Sequence, residues 1–117
     1  MDPLDAYQRY ERAWNEPENA AALLAEAWAE DGVYADDEVP DGLVGRPALV
    51  SFIETAHATM PGFRVWATST PRTLAGRMAV TWRATGGNPP IGSGGTDVIE
   101  FDADSRIARV TDVLDIE

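Results

Sequence analysis

Two aspartates near the C-terminal end are the residues whose type and spacing could do chemistry. Asp97 lies in Thr96-Asp97-Val98-Ile99-Glu100-Phe101 and Asp112 in Ile107-Ala108-Arg109-Val110-Thr111-Asp112-Val113-Leu114, with Asp102-Ala103-Asp104-Ser105-Arg106 between them. The two stretches read as strands and the segment between them as their hairpin. A loop of two residues, Asp104-Ser105, or of four sets Asp97 opposite Asp112, Ile99 opposite Val110 and Phe101 opposite Ala108, whereas a three-residue loop would break that pairing. Strand side chains alternate faces, so Asp97, Ile99, Phe101, Val110, Asp112 and Leu114 then share one. That face is otherwise apolar and is expected to lie under helices. Facing carboxylates there are costly unless they share a proton, bind a cation or meet donors. Closeness raises the pKa of one member and burial raises it further. A carboxylic acid kept neutral can donate a hydrogen bond to a substrate oxygen.

Other chemistries find no support in the residues. His57 is the only histidine, and with scattered aspartates it lacks zinc-ligand spacing. There is no cysteine, hence no disulfide framework and no thiolate. Gly92-Ser93-Gly94-Gly95 lacks the lysine and the helix of a phosphate-binding loop. No Ser-His-Asp or nucleophile-elbow context exists. The chemistry these aspartates offer is acid–base work without metal or cofactor.

The elements that must position these residues fall into two halves. Residues 3–15 read as an amphipathic helix, with Leu4, Tyr7, Tyr10, Ala13 and Trp14 at helical spacing, Pro3 in its first turn and Asp2 as N-cap. A second helix is expected over about 18–30, carrying Leu23, Leu24, Ala27 and Trp28 on one face and closed by Gly32. Val33, Tyr34 and Ala35 begin a short strand, and residues 36–45 form a loop rich in Asp, Pro and Gly. A third helix runs from Arg46 to Met60 with Leu49, Phe52, Ile53, Ala56 and Met60 as its apolar face and His57 beside it. After Gly62 everything reads as strand: 63–69, a longer strand 73–85 with Met78, Val80 and Trp82 alternating, a flexible glycine-rich loop 86–95, then 96–101 and 107–114. Helices followed by a strand meander predict an α+β fold, and a bent sheet covered at one end leaves a cavity at the other.

At 117 residues the chain fits one domain, 1–117, with 44% hydrophobic and 25% charged residues. A net charge of −11 sets nucleic acid and anionic membrane aside as partners and favours solubility. No apolar run approaches the ~20 residues of a membrane span. The start, Met1-Asp2-Pro3-Leu4-Asp5, lacks the basic and apolar regions of a signal peptide, which makes cytoplasm the default.

Tyr7 through Asn15, then Ala27-Trp28-Ala29-Glu30-Asp31-Gly32-Val33-Tyr34-Ala35-Asp36, then Gly45-Arg46-Pro47-Ala48-Leu49, with the Gly95–Val110 ending, resemble an NTF2-like domain of the SnoaL-like kind over essentially the whole chain. That resemblance implies a cone of three helices around a curved antiparallel sheet enclosing a deep pocket. The pattern is also similar to ketosteroid isomerases. Gln8-Arg9-Tyr10 matches the context of their oxyanion tyrosine, Asp36 holds the place of their general base, and Asp97 matches their protonated aspartate by its spacing to Phe101. The resemblance thus implies Tyr10 and Asp97 as donors to an enolate oxygen and Asp36 as the base beside a carbonyl. The isomerases carry a small residue where this chain has Asp112, and Trp14, Trp28 and Trp82 make the pocket bulky for a steroid. Limonene-epoxide hydrolases place an aspartate where Asp112 sits, but Arg77-Met78-Ala79 here lacks their second carboxylate. SnoaL-type polyketide cyclases use a pocket aspartate, a place Asp97 or Asp112 could fill.

Two classes of function are expected from this: an isomerase- or cyclase-type enzyme acting on a hydrophobic carbonyl compound, or a non-catalytic ligand-binding or dimerisation module. The pocket is expected to draw Trp14, Trp28, Tyr34, Phe52, His57 and Met60 from the helical half and first strand. Phe63, Trp82, Ile99, Val110 and Leu114 are expected from the rest of the sheet. A small hydrophobic molecule is the expected ligand and a homodimer through the outer sheet face, at Thr81, Val98 and Thr111, the expected assembly.

Overall fold

The computed structural model describes residues 1–115, Ile91 by its backbone alone. Helix α1, Pro3–Asn15, begins where the Asp2 carboxylate accepts the Asp5 N–H at 2.9 Å and Pro3 opens the first turn. It buries Ala6, Tyr7, Tyr10 and Ala13, the stripe its periodicity sets out, although Leu4 at its start is exposed. After a single 3-10 turn, Pro17–Asn19, helix α2 spans Ala20–Ala27. It is shorter than its sequence suggests, because the chain turns extended at Trp28 and strand β1 runs Trp28–Ala35. The cause is visible in the packing. Trp28 is fully buried and stacks on Tyr10 at 5.5 Å, and Gly32 lies so close that a Cβ there would overlap the indole. Gly32 therefore makes room for a strand tryptophan and does not cap a helix. A two-residue strand β2, Leu43–Val44, then leads into helix α3, Arg46–Thr59, entered through Gly45 at φ +93°.

Strands β3 (Arg64–Ala67), β4 (Arg72–Leu74), β5 (Arg77–Gly86), β6 (Ile91–Phe101) and β7 (Ile107–Leu114) complete a seven-stranded sheet in the order β2-β1-β7-β6-β5-β3, with β4 also on β5. The fold is α+β, three helices on a curved, unclosed sheet. The sheet is mixed and not purely antiparallel: β1 runs parallel to β7, because the helical segment returns the chain to the sheet in the same direction. Two segments differ from their sequence reading. The single strand expected at 73–85 folds back at Ala75-Gly76, both with positive φ, as a two-residue hairpin. The loop expected at 86–95 is mostly strand, since Gly92, Gly94 and Gly95 lie within β6 and pair with β5.

The inner face of the sheet is built in rungs. Met78, Ile99 and Val110 form the lowest, each 1% exposed or less. Val80, Asp97 and Asp112 form the next, and Trp82, Gly95 and Leu114 the one above. The lowest rung joins Leu49, Ile53 and Leu24 in the core. The upper rungs face a hollow between the sheet, α1 and α3.

Helix α1 is fastened across the open edge of the sheet by side chains that imitate a strand. Asn15 Nδ2 donates to Val65 O at 2.8 Å while its Oδ1 accepts Val65 N–H at 2.7 Å, and Glu11 accepts Ala67 N–H at 2.9 Å. These bonds satisfy backbone groups that an edge strand would otherwise leave open.

Candidate functional site

Asp97 and Asp112 stand directly opposite each other, and Ile99 faces Val110, but the hairpin reaches this register by a route the sequence reading rejected. The loop has three residues: Asp102 N–H donates to Arg106 O at 2.8 Å, and Ser105 takes the left-handed conformation at φ +63°. Phe101 consequently pairs with Ile107 and not with Ala108. A β-bulge then places Glu100 opposite Arg109, so Ala108 is the extra residue and the register shifts by one. The bulge restores the aspartate pairing that the odd loop would have broken.

Both aspartates are 8% exposed. Trp82 Nε1 donates to Asp112 Oδ1 at 3.0 Å. To do so its indole crosses β6, and it can because the residue beneath it is Gly95, where a Cβ would press on the ring at 3.1 Å. The Tyr34 hydroxyl donates to Asp36 Oδ2 at 2.7 Å and lies 3.3 Å from Asp112 Oδ2. A hydroxyl has one proton, which the shorter bond takes, leaving its oxygen able to accept from a protonated Asp112. Asp36 Oδ1 accepts the backbone N–H groups of Glu38 and Val39 at 2.8 and 3.1 Å, fixing the turn after β1. Asp97 Oδ1 is buried with no hydrogen-bond partner among the described residues.

Burial, first, and the facing Asp112, second, push the Asp97 carboxyl well above the ordinary carboxylate range. Burial also raises Asp112, to about 6, while its polar neighbours Asp97, Trp82 and Tyr34 hold it below what burial alone would give. Two buried carboxyls that face each other do not titrate independently. The Tyr10 and Tyr34 phenols are raised chiefly by burial, so both remain neutral donors.

The hollow above the pair is a cavity of about 470 Å³. Asp97, Asp112, Asp36 and Tyr10 all line it, as do Trp14, Tyr34, Phe52, Met60, Phe63, Trp82 and Leu114. Trp14 sits at the centre of the aromatic wall, 5.7 Å from Tyr34 and 6.0 Å from Phe52 and Phe63. Four expected lining residues lie elsewhere. Ile99 and Val110 are one rung too low, and Trp28 is behind Tyr10. His57 packs on Phe63 at 5.2 Å and donates Nε2–H to Trp14 O at 2.7 Å, a tie between α3 and α1. The sequence reading passed over Tyr7, Glu11, Glu38, Thr55 and Ser93, which reach the lining. Glu11 follows Tyr7 by one helical turn and so shares its face, which was the available signal. Among the described residues no three His, Cys, Asp or Glu side chains converge as a metal site requires, and no helix is long and apolar enough to cross a membrane.

Comparison with known proteins completes the description. The SnoaL-like domain matches residues 7–110. The chain belongs to the SnoaL-like domain family. No curated protein matches it. Among solved structures, this SnoaL-like protein is 29% identical to a candidate isomerase of the SnoaL-like family from Agrobacterium tumefaciens, over 97% of each chain with a TM-score of 0.82. A candidate polyketide cyclase from Xanthomonas campestris shares the fold at 19% identity, covering 97% of this chain and 90% of its own, TM-score 0.77. So does a Catenulispora acidiphila protein with a ketosteroid isomerase-like fold, in complex with trimethylamine, at 17% identity, 96% and 85% coverage and TM-score 0.78.

Proposed function

We propose that this SnoaL-like protein binds a small, largely apolar carbonyl compound in its cavity and moves a proton on it, as an isomerase or cyclase does. The observation that carries this reading is the facing pair Asp97 and Asp112, buried on the cavity wall with one Asp97 oxygen left without a partner. The volume of about 470 Å³ falls within the roughly 300–1,000 Å³ usual for small-molecule sites. In this reading Asp97, held neutral, donates to the substrate carbonyl, and the Tyr10 hydroxyl is the second donor. The enolate charge would then develop against two donors already in place.

Asp112 serves as the base, because a carboxylate titrating near 6 is better matched to neutral pH than an ordinary one. Asp36, the base implied by the isomerase pattern, is already engaged by Tyr34 and two backbone N–H groups. Its role here is to hold the Tyr34 proton and so direct the Tyr34 oxygen toward Asp112. We propose further that two copies pair through the outer sheet face.

The test is turnover with a panel of cyclic and open-chain enones and β-diketones. Asp97→Asn should lower turnover of any accepted substrate by about 10²-fold or more. Unchanged turnover would remove Asp97 from the mechanism. Binding without turnover in the unaltered protein would establish a ligand-binding module in place of an enzyme.

A further inference from the structure

The two aspartates face each other on one rung, yet the protein surrounds them differently. Asp112 Oδ1 accepts the Trp82 indole N–H at 3.0 Å, and Asp112 Oδ2 lies 3.3 Å from the Tyr34 hydroxyl. Asp97 Oδ1 has no partner among the described residues. The two neighbours of Asp112 are not equivalent. A hydroxyl can donate or accept, and the Tyr34 proton is already engaged by Asp36 at 2.7 Å. An indole N–H can only donate. Its bond therefore favours the ionised form of the carboxyl that receives it, whichever way the hydroxyl turns.

The sheet is arranged to deliver this donor. Trp82 belongs to β5 and Asp112 to β7, with β6 between them, about 10 Å from backbone to backbone. Trp82 pairs with Gly95, one rung above Asp97, and a Cβ at Gly95 would press on the indole at 3.1 Å. Glycine inside a strand marks such a close approach. The other titratable groups around Asp112 are Asp97 from β6, Tyr34 and Asp36 from β1, and Tyr10 from α1. Among the described residues no lysine, arginine or histidine lines the cavity, so a neutral donor is what the site has to favour a carboxylate. The indole also counters part of the rise of Asp97, behind burial and the facing Asp112, but the bond it completes is to Asp112. We infer that Trp82 is a positioning residue of this site: its indole N–H, carried across β6 and fixed on Asp112 Oδ1, makes Asp112 the member of the pair that ionises and so the base. This rests on the reading of the cavity as an acid–base site and names the residue that assigns the two roles.

Trp82→Phe keeps an aromatic ring over Gly95 and removes the donor. The carboxyl carbons of Asp97 and Asp112, followed by NMR in the ligand-free protein, give the first readout. The Asp112 midpoint, near 6 in the unaltered protein, should rise by about one pH unit or more in the variant. An indole that merely kept water away would have the opposite effect, since its loss would ease burial and lower the midpoint. An unchanged or lowered midpoint would therefore overturn the inference. If the variant does not fold, the indole nitrogen of Trp82 in the unaltered protein decides. Its resonance should shift with the Asp112 titration, and a resonance indifferent to pH across that range would overturn the inference. With an accepted enone or β-diketone, the acid limb of the kcat/KM profile should move up with the Asp112 midpoint. A raised midpoint without turnover of any compound in the panel would support the hold of Trp82 on Asp112 and overturn the acid–base reading. Turnover with an unmoved midpoint would do the reverse.

Discussion

At the scale of single residues, the site is governed by the facing carboxyls of Asp97 and Asp112, both raised by burial. The chain keeps two acids where one rung of apolar residues would pack more stably, and the cost appears in how stability depends on pH. A carboxyl raised above its unfolded value of 3.8 holds its proton in the folded protein at pH values where the unfolded chain has lost it. Stability from this pair is therefore greatest below about pH 4 and falls as pH rises through about 6, where Asp112 titrates, with the raised Asp97 acting in the same direction. Asp97→Asn keeps the shape and removes one titration. Its melting temperature should exceed that of the unaltered protein by about 5 °C or more at pH 8, with the gap closing by pH 4. A scanning calorimetry series showing the same gap at both pH values would mean that the pair is not protonated as described.

At the scale of elements, the sequence was most legible where periodicity and packing agree. Residues 3–15 form α1, and 46–60 form α3 with Met60 as its cap, because an apolar stripe on each has a sheet to lie against. Strand β7 occupies 107–114 as its alternation requires. The errors share a cause: the local signal was weaker than the tertiary context. Trp28 fits a helical stripe but is taken by the core as a strand residue over Gly32. Ala75-Gly76 turns a hairpin although alanine seldom adopts a left-handed conformation, so Gly76 was the one turn signal inside an otherwise strand-like stretch. Gly92, Gly94 and Gly95 read as loop, yet Gly95 is where the Trp82 ring must cross. The aspartate pairing was foreseen through an even-numbered loop, whereas the chain uses an odd loop and a bulge. The lining was legible in its residue types but not in its depth. Ile99 and Val110 lie on the correct face one rung below the cavity floor, a difference of two residues along the strand.

At the scale of the whole molecule, a net charge of −11 on 117 residues sets what can approach. It draws cations toward a cavity whose wall is itself acidic. It also keeps copies apart except where a surface lacks charge. The outer sheet face has such a region: Thr81, Val98, Thr111 and Val113 lie on adjoining rungs, and Val113 is 55% exposed. With like charges elsewhere, pairing of two copies there should strengthen as salt screens their repulsion. Sedimentation equilibrium at micromolar concentration should give about twice the chain mass of 12.7 kDa, and a monomer at all salt concentrations would remove the dimer.

Everything proposed for the cavity depends on the protonation of the aspartate pair, and a carbon NMR titration of the aspartate side-chain carboxyls reads it directly. The Asp112 carboxyl carbon should titrate near pH 6, and the Asp97 carboxyl carbon should likewise titrate well above the ordinary aspartate range. Two carboxyls that both titrate at about 4, as a carboxyl in water does, would contradict the raised pair and with it the acid–base site.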